Sequence, residues 1–563
     1  MASLMSMAKD LMTFKEPDTI EKFILKEKED EGQKKGKQEK DSNAEYEVAD
    51  ASRYLGENMK FIKRVYSIPK SGDVILREFD IAVKDRVFAA FIVFIDGMVD
   101  RATINEFILQ PLMLLSNMDI KNEEEELANY IKNHIMPHNQ ITITSKMKDI
   151  ISQVNFGGCA VFIDGIDSVF VADVKGWEHR GIERPNNELV LRGPQEGFNE
   201  LLRANTALVR KFLLDEKLVV ENMAVGKRSR TPCSVLYIRD IANESLIKEV
   251  KRRVANVNVD YVLGSGELEQ LIEDNTIIPA PQIISTERPD KVASLLSEGK
   301  VAVMVNGSPF ALVMPATVAG LFHSPEDSFA RFPYGNFMRF IRLLGLFLAM
   351  LLPGLYVAVT NYHQEMIPTD LMLSIVSARE LVPFPSVVEI IIMEVSFELI
   401  REAGVRIPGP IGPTLGIIGA LILGQAAVAA NIVSPILIII VAVTGIGNFT
   451  IPDYSFSFAI RMLRFIYIIV GAMAGLLGIT TAVFVHLLWL ASTKSFGVPI
   501  LTPMGPITSK MLADEFTRAP IWKQEKRPDF LNTKKDDKQD RTSRGWAEDK
   551  EGDETGGEKG KDR

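Results

Sequence analysis

One apolar stretch constrains this chain more than any other feature. From Ile407 to Pro452 the sequence contains no Asp, Glu, Lys or Arg. At about 1.5 Å per helical residue, the stretch is roughly twice as long as one bilayer crossing requires. It therefore predicts two apolar helical passes, joined at Ser434-Pro435, where the proline interrupts the helix.

The rest of the composition is typical of a membrane protein with large hydrophilic parts. The chain has 563 residues, of which 24% are charged, and a formal net charge of −9. Apolar residues are concentrated between Leu343 and Ala491, whereas both ends are strongly hydrophilic. The charges are spread along the chain and form no basic patch, so we expect no nucleic-acid partner.

The order of apolar and turn patterns predicts a multi-domain fold. We expect a cytosolic α/β domain of two related subdomains, then an α-helical transmembrane domain with about four to five membrane segments, between disordered charged termini. The expected segments are a disordered tail at 1–48, subdomains at 49–215 and 216–335, a helical membrane domain at 336–495, and a mostly disordered C-terminal segment at 496–563.

Two hairpin signatures indicate an internal duplication of the α/β part. Asp164-Gly165 and Asn306-Gly307 each lie between two apolar, strand-like runs, where such dipeptides supply the positive φ angles of a tight turn. When AVFIDG at 160 is aligned with AVMVNG at 302, the preceding strand-like and helical runs also correspond. The sequence therefore predicts two similar subdomains, divided near Asp215.

Basic residues set the expected orientation of the membrane part. Arg331, Arg339 and Arg342 precede the apolar run at 343–360, on the side of the large N-terminal domain. The positive-inside rule therefore places that domain in the cytosol. The last span is expected within 465–493.

Two further arginines leave the topology open. With four full spans, Arg461 and Arg464 would lie on the outer side, against the positive-inside rule. A re-entrant second pass or a membrane-crossing helix at 385–404 would remove the conflict. The sequence does not decide whether that helix or the pass at 436–452 crosses fully, nor on which side the C-terminal tail lies.

Three acidic residues follow the first span in an otherwise apolar helical segment. Glu389, Glu394 and Glu398 are spaced by five and four residues, which places them roughly on one helical face. One interpretation is an interfacial helix with its acids in water. The other places them at the mouth of a cation pathway, because rings of carboxylates attract cations.

Small residues recur every four positions in the first half of the charge-free stretch. Gly412, Gly416, Ala420 and Gly424 leave one helix face almost without side-chain bulk. Helix backbones can approach closely along such a face, either within one subunit or between subunits.

The same stretch contains our candidate pore or gate positions. Gln425 and Asn431 are the amides of its first pass, and they either form an interhelical hydrogen bond or line a pore. Val428 lies one helical turn beyond Gly424 and is a third candidate. Gly445 and Gly447 are expected to break the second pass, where backbone could then face water or a binding site.

A charged segment in the soluble part is expected to form an interdomain network. The residues Arg180, Glu183, Glu188, Arg192 and Glu196 are interleaved with glycines and proline. We expect a loop that leads into a helix at 195–214, with its last glutamate near the positive end of the helix dipole. A structural network at a domain junction and a ligand-responsive switch both fit this pattern.

Motifs for catalysis, cofactors or metals are missing. The sequence has no phosphate-binding loop, dinucleotide fingerprint or HExxH motif, and Pro137 spoils the helical spacing of His134 and His138. We therefore expect no catalytic residues, no cofactor, no metal site and no enzymatic main function. Cys159 and Cys233 are far apart in apolar runs, which predicts buried free thiols in a reducing compartment.

Several long phrases resemble one known family. In order, they are RGIERPNNELVLRGPQEGFNELLRAN, TERPDKVASLLSEGKVAVMVNGSPFALVMP, FHSPEDSF, YHQEMIPTDLMLSI, ARELVPFPSVVEIIIMEVSFELIREAGVRIPGPIGPTLGIIGALILGQAAV and SFGVPILTPMGP. From about residue 54 to 508, the chain resembles the A-subunit family of GerA-type bacterial spore germinant receptors.

The resemblance implies a role in spore germination. It implies residence in the inner spore membrane, a B subunit similar to amino-acid transporters, and a lipoprotein C subunit. It also implies a homo-oligomer that passes cations once a nutrient binds. A non-conducting scaffold is the alternative, as is a germination-amplifying relative that shares these motifs. The nutrient, the ion and the oligomer number do not follow from the sequence.

Overall fold

The computed structural model describes most of the chain between residues 49 and 539. The described residues are 23, 25, 49–83, 86–114, 140–176, 185, 188, 190, 192–406, 419, 422–506 and 517–539. They form two α/β units, a helical bundle and a C-terminal segment that packs on the second unit.

The first α/β unit is a five-stranded antiparallel sheet with helices on both faces. Its elements are α1 (Leu55–Val65), β1 (Val74–Val83), β2 (Arg86–Ile95), α2 (101–114), β3 (Ile141–Thr144), α3 (Met147–Asn155), β4 (Gly158–Ile163) and β5 (Val169–Asp173). Helix α2 has three consecutive parts: α-helix at Arg101–Ile104, a π turn at Asn105–Leu109 and α-helix at Gln110–Leu114. The strand order is β1-β2-β4-β5-β3.

Alternation along β2 explains why this sheet is covered twice. Phe91 and Val93 belong to the hydrophobic cluster that contains α1 and α3, whereas Ile92 and Phe94 belong to the cluster that contains α2. Successive side chains of a strand point to opposite faces, so the continuous apolar run at 91–95 requires cover on both sides.

The second α/β unit repeats this architecture. Its elements are α4 (Leu202–Phe212), β6 (Leu218–Val225), β7 (Thr231–Ile238), α5 (Glu244–Ala255), α6 (Ser265–Ile272), β8 (Ile284–Thr286), α7 (Pro289–Ser297), β9 (Val301–Val305), β10 (Ala311–Met314), α8 (Val318–Leu321) and α9 (Pro325–Phe329). The strand order is β6-β7-β9-β10-β8, which is the order of the first sheet.

The two sheets agree with the duplication that the hairpin signatures predicted. Gly165 and Gly307 have φ angles of +85° and +86°, and each connects two central antiparallel strands. The short edge strands β3 and β8 were missed, because three or four residues give too little alternation to recognise. Cys159 and Cys233 are buried and free, as predicted, and burial raises the pKa of both thiols.

The helical bundle follows the second unit. Its helices are α10 (Phe332–Tyr362), α11 (Thr369–Arg379), α12 (Ser386–Arg406), a short helix at 422–429, α13 (Pro435–Phe449) and α14 (Tyr454–Ser492). By length and composition, α10 and α14 could each cross a membrane, and α13 is a shorter apolar helix. Pro435 begins α13, so the predicted interruption at Ser434-Pro435 is confirmed.

The expected break at Gly445 and Gly447 is wrong. Helix α13 continues through both residues to Phe449. A Cβ atom on Gly447 would lie 2.7 Å from the carbonyl oxygen of Gly345 in α10, and one on Gly445 would lie 2.8 Å from the ring of Phe397. These glycines allow close helix contact, which explains their presence without a break.

Helix α14 is folded back on itself at Gly475. This residue has φ +60° and ψ −145°, a conformation that is not helical. Tyr467 Oη and His486 Nδ1 lie 3.0 Å apart although 19 residues separate them, whereas a straight helix would place them about 28 Å apart. The single last span predicted at 465–493 is therefore two antiparallel arms, 454–474 and 476–492.

The fold-back returns the chain to the second α/β unit, where residues 517–539 form a C-terminal strap. Leu531 and Thr533 of the strap are buried, and the Lys534 amide donates to the Ile241 carbonyl at 2.9 Å. The expected disorder of the C-terminal segment is wrong for these residues. The average composition of the charged tail does not reveal single apolar residues, such as Leu531, that pack on the second unit.

The N-terminal tail also departs from the prediction at one point. Leu25 is buried in the core of the second unit, next to Phe496 and Val498. The remaining residues of 1–48, apart from Phe23, lie outside the described residues.

Close backbone contact between α10 and α14 generates a stability prediction. A Cβ atom on Gly354 would lie 2.7 Å from the carbonyl oxygen of Tyr467, which cannot move as a side chain can. We expect Gly354→Ala to destabilise the protein by about 1–3 kcal/mol. Thermal unfolding of the detergent-solubilised protein measures this loss.

The matched control is Gly266→Ala in the exposed part of α6. A Cβ atom there meets nothing within 4 Å, so this variant should be neutral or slightly stabilising. Equal unfolding temperatures for Gly354→Ala and the wild type would contradict the close packing of α10 on α14.

Candidate functional site

A buried ion pair lies at the centre of the helical bundle. Arg464 Nη1 of α14 is 2.5 Å from Glu394 Oε2 of α12, and the two side chains are 2% and 0% exposed. Arg464 Nε also donates to the carbonyl of Ala349 in α10 at 2.8 Å. One guanidinium therefore connects three helices.

A second pair lies one helical turn away. Arg461 Nη1 is 2.9 Å from Glu398 Oε2, and Arg401 donates to the same oxygen from within α12. Because Arg461 and Arg464 are three residues apart and Glu394 and Glu398 four, both pairs lie on the facing sides of α12 and α14.

The third glutamate fixes the start of α13. Glu389 is fully buried, its Oε2 accepts from the Ser434 amide at 3.1 Å, and its Oε1 is 3.3 Å from Arg379 Nε. Ser434 is the residue before the first turn of α13, where backbone N–H groups lack helical partners. The carboxylate thus supports the turn that the sequence marked with Ser434-Pro435.

These contacts exclude one of the two interpretations of the acidic residues in α12. Acids facing water are excluded for Glu389 and Glu394, which have no exposed surface. Arg461 and Arg464 are internal partners of Glu398 and Glu394, so their charges do not count as loop charges in the positive-inside rule.

Several buried polar atoms between α12 and its neighbours α13 and α14 have no hydrogen-bond partner. Among the described residues, Glu394 Oε1, Arg464 Nη2, Glu398 Oε1 and Asn448 Oδ1 are buried and accept or donate no hydrogen bond. Buried polar atoms of this kind are commonly satisfied by internal water. The interior of the bundle is therefore polar along the contact of α12 with α14 and α13.

The candidate pore positions lie on a different surface. Gln425 is exposed, Val428 is half-buried among apolar residues of α13, and Asn431 is exposed. Asn431 has φ +53°, and the next amide donates back to the Ala427 carbonyl at 2.9 Å. Asn431 therefore ends the 422–429 helix in the left-handed conformation that asparagine tolerates, a role that the sequence interpretation missed.

The row of small residues is described only at its end. Gly412, Gly416 and Ala420 lie outside the described residues. Gly424 is buried against Ile438 of α13, with 3.6 Å from a hypothetical Cβ to the nearest side-chain atom. This last small residue thus packs within the chain.

Two of the charged residues predicted to form an interdomain network bind lysines of the second α/β unit. Glu188 Oε1 binds Lys291 Nζ at 2.6 Å, and its Oε2 accepts from the Glu287 amide at 3.2 Å. Glu196 binds Lys211 Nζ at 2.5 Å, and Arg192 is exposed. Arg180 and Glu183 lie outside the described residues.

The expected helix dipole contact is wrong. Helix α4 begins at Leu202, six residues after Glu196, and the partner Lys211 lies in its last turn. Residues 193–200 form no helix, and Gly193, with φ +119°, and Pro194 lie in this segment.

A buried arginine that the sequence analysis missed anchors this loop. Arg288 is fully buried; its Nη1 donates to the Glu188 carbonyl at 3.0 Å and its Nη2 to the Pro194 carbonyl at 2.9 Å. Asp290 balances its charge at 2.8 Å. The phrase TERPD contains both residues, but spacing alone does not reveal a guanidinium that binds distant carbonyl groups.

A further charge cluster joins the second unit to α10. Arg342 Nη2 is 2.7 Å from Asp327 Oδ1 of α9, and Arg339 Nε is 3.3 Å from Oδ2. Burial by itself would raise the pKa of Asp327, but hydrogen bonding and the charges of the two arginines outweigh burial and hold that pKa below its ordinary value. Arg339 and Arg342, two of the arginines that the sequence assigned to the positive-inside rule, are thus also structural partners.

Metal binding finds no support in the described part of the chain. No group of three or more His, Cys, Asp or Glu side chains is placed there to hold an ion.

Comparison with known proteins assigns the chain to a family. The profile of the family described as "Bacillus/Clostridium GerA spore germination protein" matches residues 60–530. The chain belongs to the GerA family of spore germination proteins. The match covers both α/β units, the bundle and much of the strap.

Two curated proteins are similar to this chain along most of their length. "Spore germination protein KA" of Bacillus subtilis (strain 168) is 39% identical over 484 residues, which cover 86% of this chain and 87% of that protein. "Uncharacterized membrane protein YfkQ" of the same strain is 39% identical over 456 residues, which cover 81% of this chain and 87% of that protein.

One solved structure is also similar to this chain. It is the N-terminal domain of the A subunit of the Bacillus megaterium spore germinant receptor GerK3, at 32% identity and a TM-score of 0.37. The similarity covers 48% of this chain and 97% of that one.

The ion pair between Arg464 and Glu394 generates the next prediction. Arg464→Leu leaves a buried carboxylate without its partner, so we expect a loss of about 3–5 kcal/mol in the free energy of unfolding. Adding Glu394→Leu removes the stranded charge and should recover most of that loss. Thermal unfolding in detergent, arranged as a double-mutant cycle, measures the coupling.

Arg401→Leu is the control for this cycle. Glu398 retains Arg461 when Arg401 is removed, and Arg401 is partly exposed, so its loss should change stability little. If the losses of the two single variants simply add in the double variant, Arg464 and Glu394 do not stabilise each other.

Proposed function

We propose that this chain is the A subunit of a nutrient-responsive spore germinant receptor and forms a ligand-gated cation channel that starts germination. The observation that carries the proposal is an exposed helix face at 422–429 with an amide among small residues. In this proposal several copies assemble around that face in the inner membrane of the spore.

The membrane location rests on the surface of the bundle. Helix α10 and helix α14, which folds back at Gly475, are the apolar candidates to cross, and large apolar side chains such as Phe347, Ile446 and Met473 are exposed on the bundle. One relative is named a membrane protein. Helix α12 joins the crossing helices in this proposal, because its buried glutamates are paired with arginines.

The conduction path is proposed along the 422–429 helix. Ile422, Gln425, Ala426 and Ala429 are exposed and lie on one helical face, while Gly424 and Ala427 face α13. An amide among small residues suits a narrow, hydrated path for a cation. One copy of this face cannot enclose a path by itself. Several copies are needed to surround it, which supports a homo-oligomer.

Gating is proposed to pass through Val428 and α13. Val428 packs against the apolar cluster that contains Leu437 and Val441 of α13, so a displacement of α13 moves the proposed pore helix. Helix α13 also packs against α10, where Gly447 touches Gly345, and against α11, α12 and α14. Movement of the soluble part can therefore reach the pore helix through α10 and α13.

The partners of the complex follow from the family resemblance. We propose a B subunit similar to amino-acid transporters as the nutrient sensor and a lipoprotein C subunit, with the α/β units in the cytosol. The arginines at the start of α10 support that orientation.

A non-conducting scaffold is the second candidate, and one observation favours it. Glu389, Glu394 and Glu398, the candidates for a cation pathway, are each paired with an arginine of the same chain. None of them is left as a free carboxylate to attract a cation among the described residues. A germination-amplifying relative of the receptors would fit the scaffold equally well.

Potassium flux tests the channel directly. Gln425→Leu removes the polar group from the proposed path, so we expect nutrient-dependent potassium efflux from spores to fall about tenfold, in keeping with the loss of one favourable polar contact. Val428→Ala should change the nutrient dependence of efflux more than its maximum rate.

Two control variants separate a channel from a scaffold. Thr480→Val makes a similar polar-to-apolar change on an exposed face of the second arm of α14 and should leave efflux unchanged. Gly424→Leu pushes into Ile438 and should reduce assembly in either case. Normal efflux in an assembled Gln425→Leu receptor would reject the channel and leave the scaffold.

A further inference from the structure

A cavity of about 460 Å³ lies where the second α/β unit, the start of α10 and the C-terminal strap meet. The second unit lines the cavity with Lys291 and Lys300, among other residues, and α10 lines it with Arg339. The strap contributes Arg518, Lys526 and Lys538. Three parts of the protein that are distant in sequence thus line one cavity.

The lining of this cavity has an excess of positive charge. It contains six Lys and Arg side chains but only two acidic residues, Asp290 and Glu298. Three of these charges are paired with groups outside the lining: Asp290 with Arg288, Lys291 with Glu188, and Arg339 with Asp327. The other cations, Lys300, Arg518, Lys526 and Lys538, still outnumber Glu298. The potential inside is therefore positive, and partial enclosure strengthens it relative to an open surface.

The behaviour of Arg518 supports a positive potential. This side chain is buried, and Nη1 and Nη2 donate to the carbonyls of Ala330 and Ser328 at 2.8 and 3.1 Å. Burial and then the charge of Arg339 lower the pKa of Arg518, and Asp327 only partly opposes them. An anion in the cavity would relieve this repulsion.

The position of the cavity relates it to a membrane surface. Phe332, Tyr334, Phe337 and Phe340 are exposed on the first turns of α10, the same part of the helix that contributes Arg339 to the cavity. Aromatic side chains concentrate at the level of lipid headgroups. On the membrane location proposed above, the cavity lies near the level of the lipid headgroups, where anionic phosphate groups are most abundant.

We propose that this cavity binds a phosphate-bearing anion, supplied either by an anionic lipid headgroup or by a soluble phosphate compound. The anion bridges cations of the strap and of the second unit at the start of α10. Binding therefore holds the strap against the first turns of the helix that leads into the bundle. The site is independent of the proposed conduction path.

The test uses the full chain and two sources of phosphate. In detergent, inorganic phosphate is titrated at constant ionic strength, and the unfolding temperature is followed. In parallel, the protein is placed in lipid nanodiscs of phosphatidylglycerol or of phosphatidylcholine. Because a ligand that binds the folded state stabilises it, either source raises the unfolding temperature if it occupies the cavity.

Matched variants locate the effect. Lys526→Gln with Lys538→Gln removes two exposed lining charges and should weaken binding about tenfold or more. Lys494→Gln with Lys523→Gln removes two exposed charges outside the lining and should not change it. Lys526→Arg with Lys538→Arg should retain binding, which separates lost charge from lost folding.

Each outcome decides the proposal. Saturable stabilisation by inorganic phosphate that the lining double variant loses identifies a soluble anion. Stabilisation only in phosphatidylglycerol, lost in the same variant, identifies a lipid headgroup. No stabilisation from either source, or equal responses of the lining and control variants, overturns the site. Ion flux is not measured, so these results are separate from those that test the channel.

Discussion

Arg464 connects three helices of an apolar bundle through one guanidinium group. Its contacts with Glu394 of α12 and with the Ala349 carbonyl of α10 fix the positions of both helices relative to α14. A buried charge of this kind is costly without its partner, so the arrangement admits few alternative registers between these helices. The second pair, Arg461 with Glu398, repeats the constraint one turn along.

Close backbone contacts at glycines also fix the positions of the helices. Gly354 and Gly471 bring α10 and α14 together, and Gly345 and Gly447 do the same for α10 and α13. Helix packing within a bilayer gains little from the hydrophobic effect, so small residues and polar pairs are the main sources of specificity there. The bundle combines both, with small residues around α10 and charges between α12 and α14.

The sequence predicted the repeated features better than the singular ones. Two hairpins with Asp-Gly and Asn-Gly turns revealed the pair of sheets, because turn chemistry is local. Partners such as Arg464 for Glu394 could not be assigned, since 70 residues separate them and only the packed bundle brings them together. The fold-back at Gly475 was missed for the opposite reason, because an apolar run with one glycine also fits a single long span.

The return of α14 to the second α/β unit has a mechanical consequence. The bundle leaves this unit at α10 and rejoins it through the second arm of α14, where the Ser495 hydroxyl accepts from the Ala316 amide at 3.0 Å. Both ends of the bundle are therefore attached to one body. A displacement of that body moves the two attachment points together, so it tilts or twists the bundle and does not stretch it.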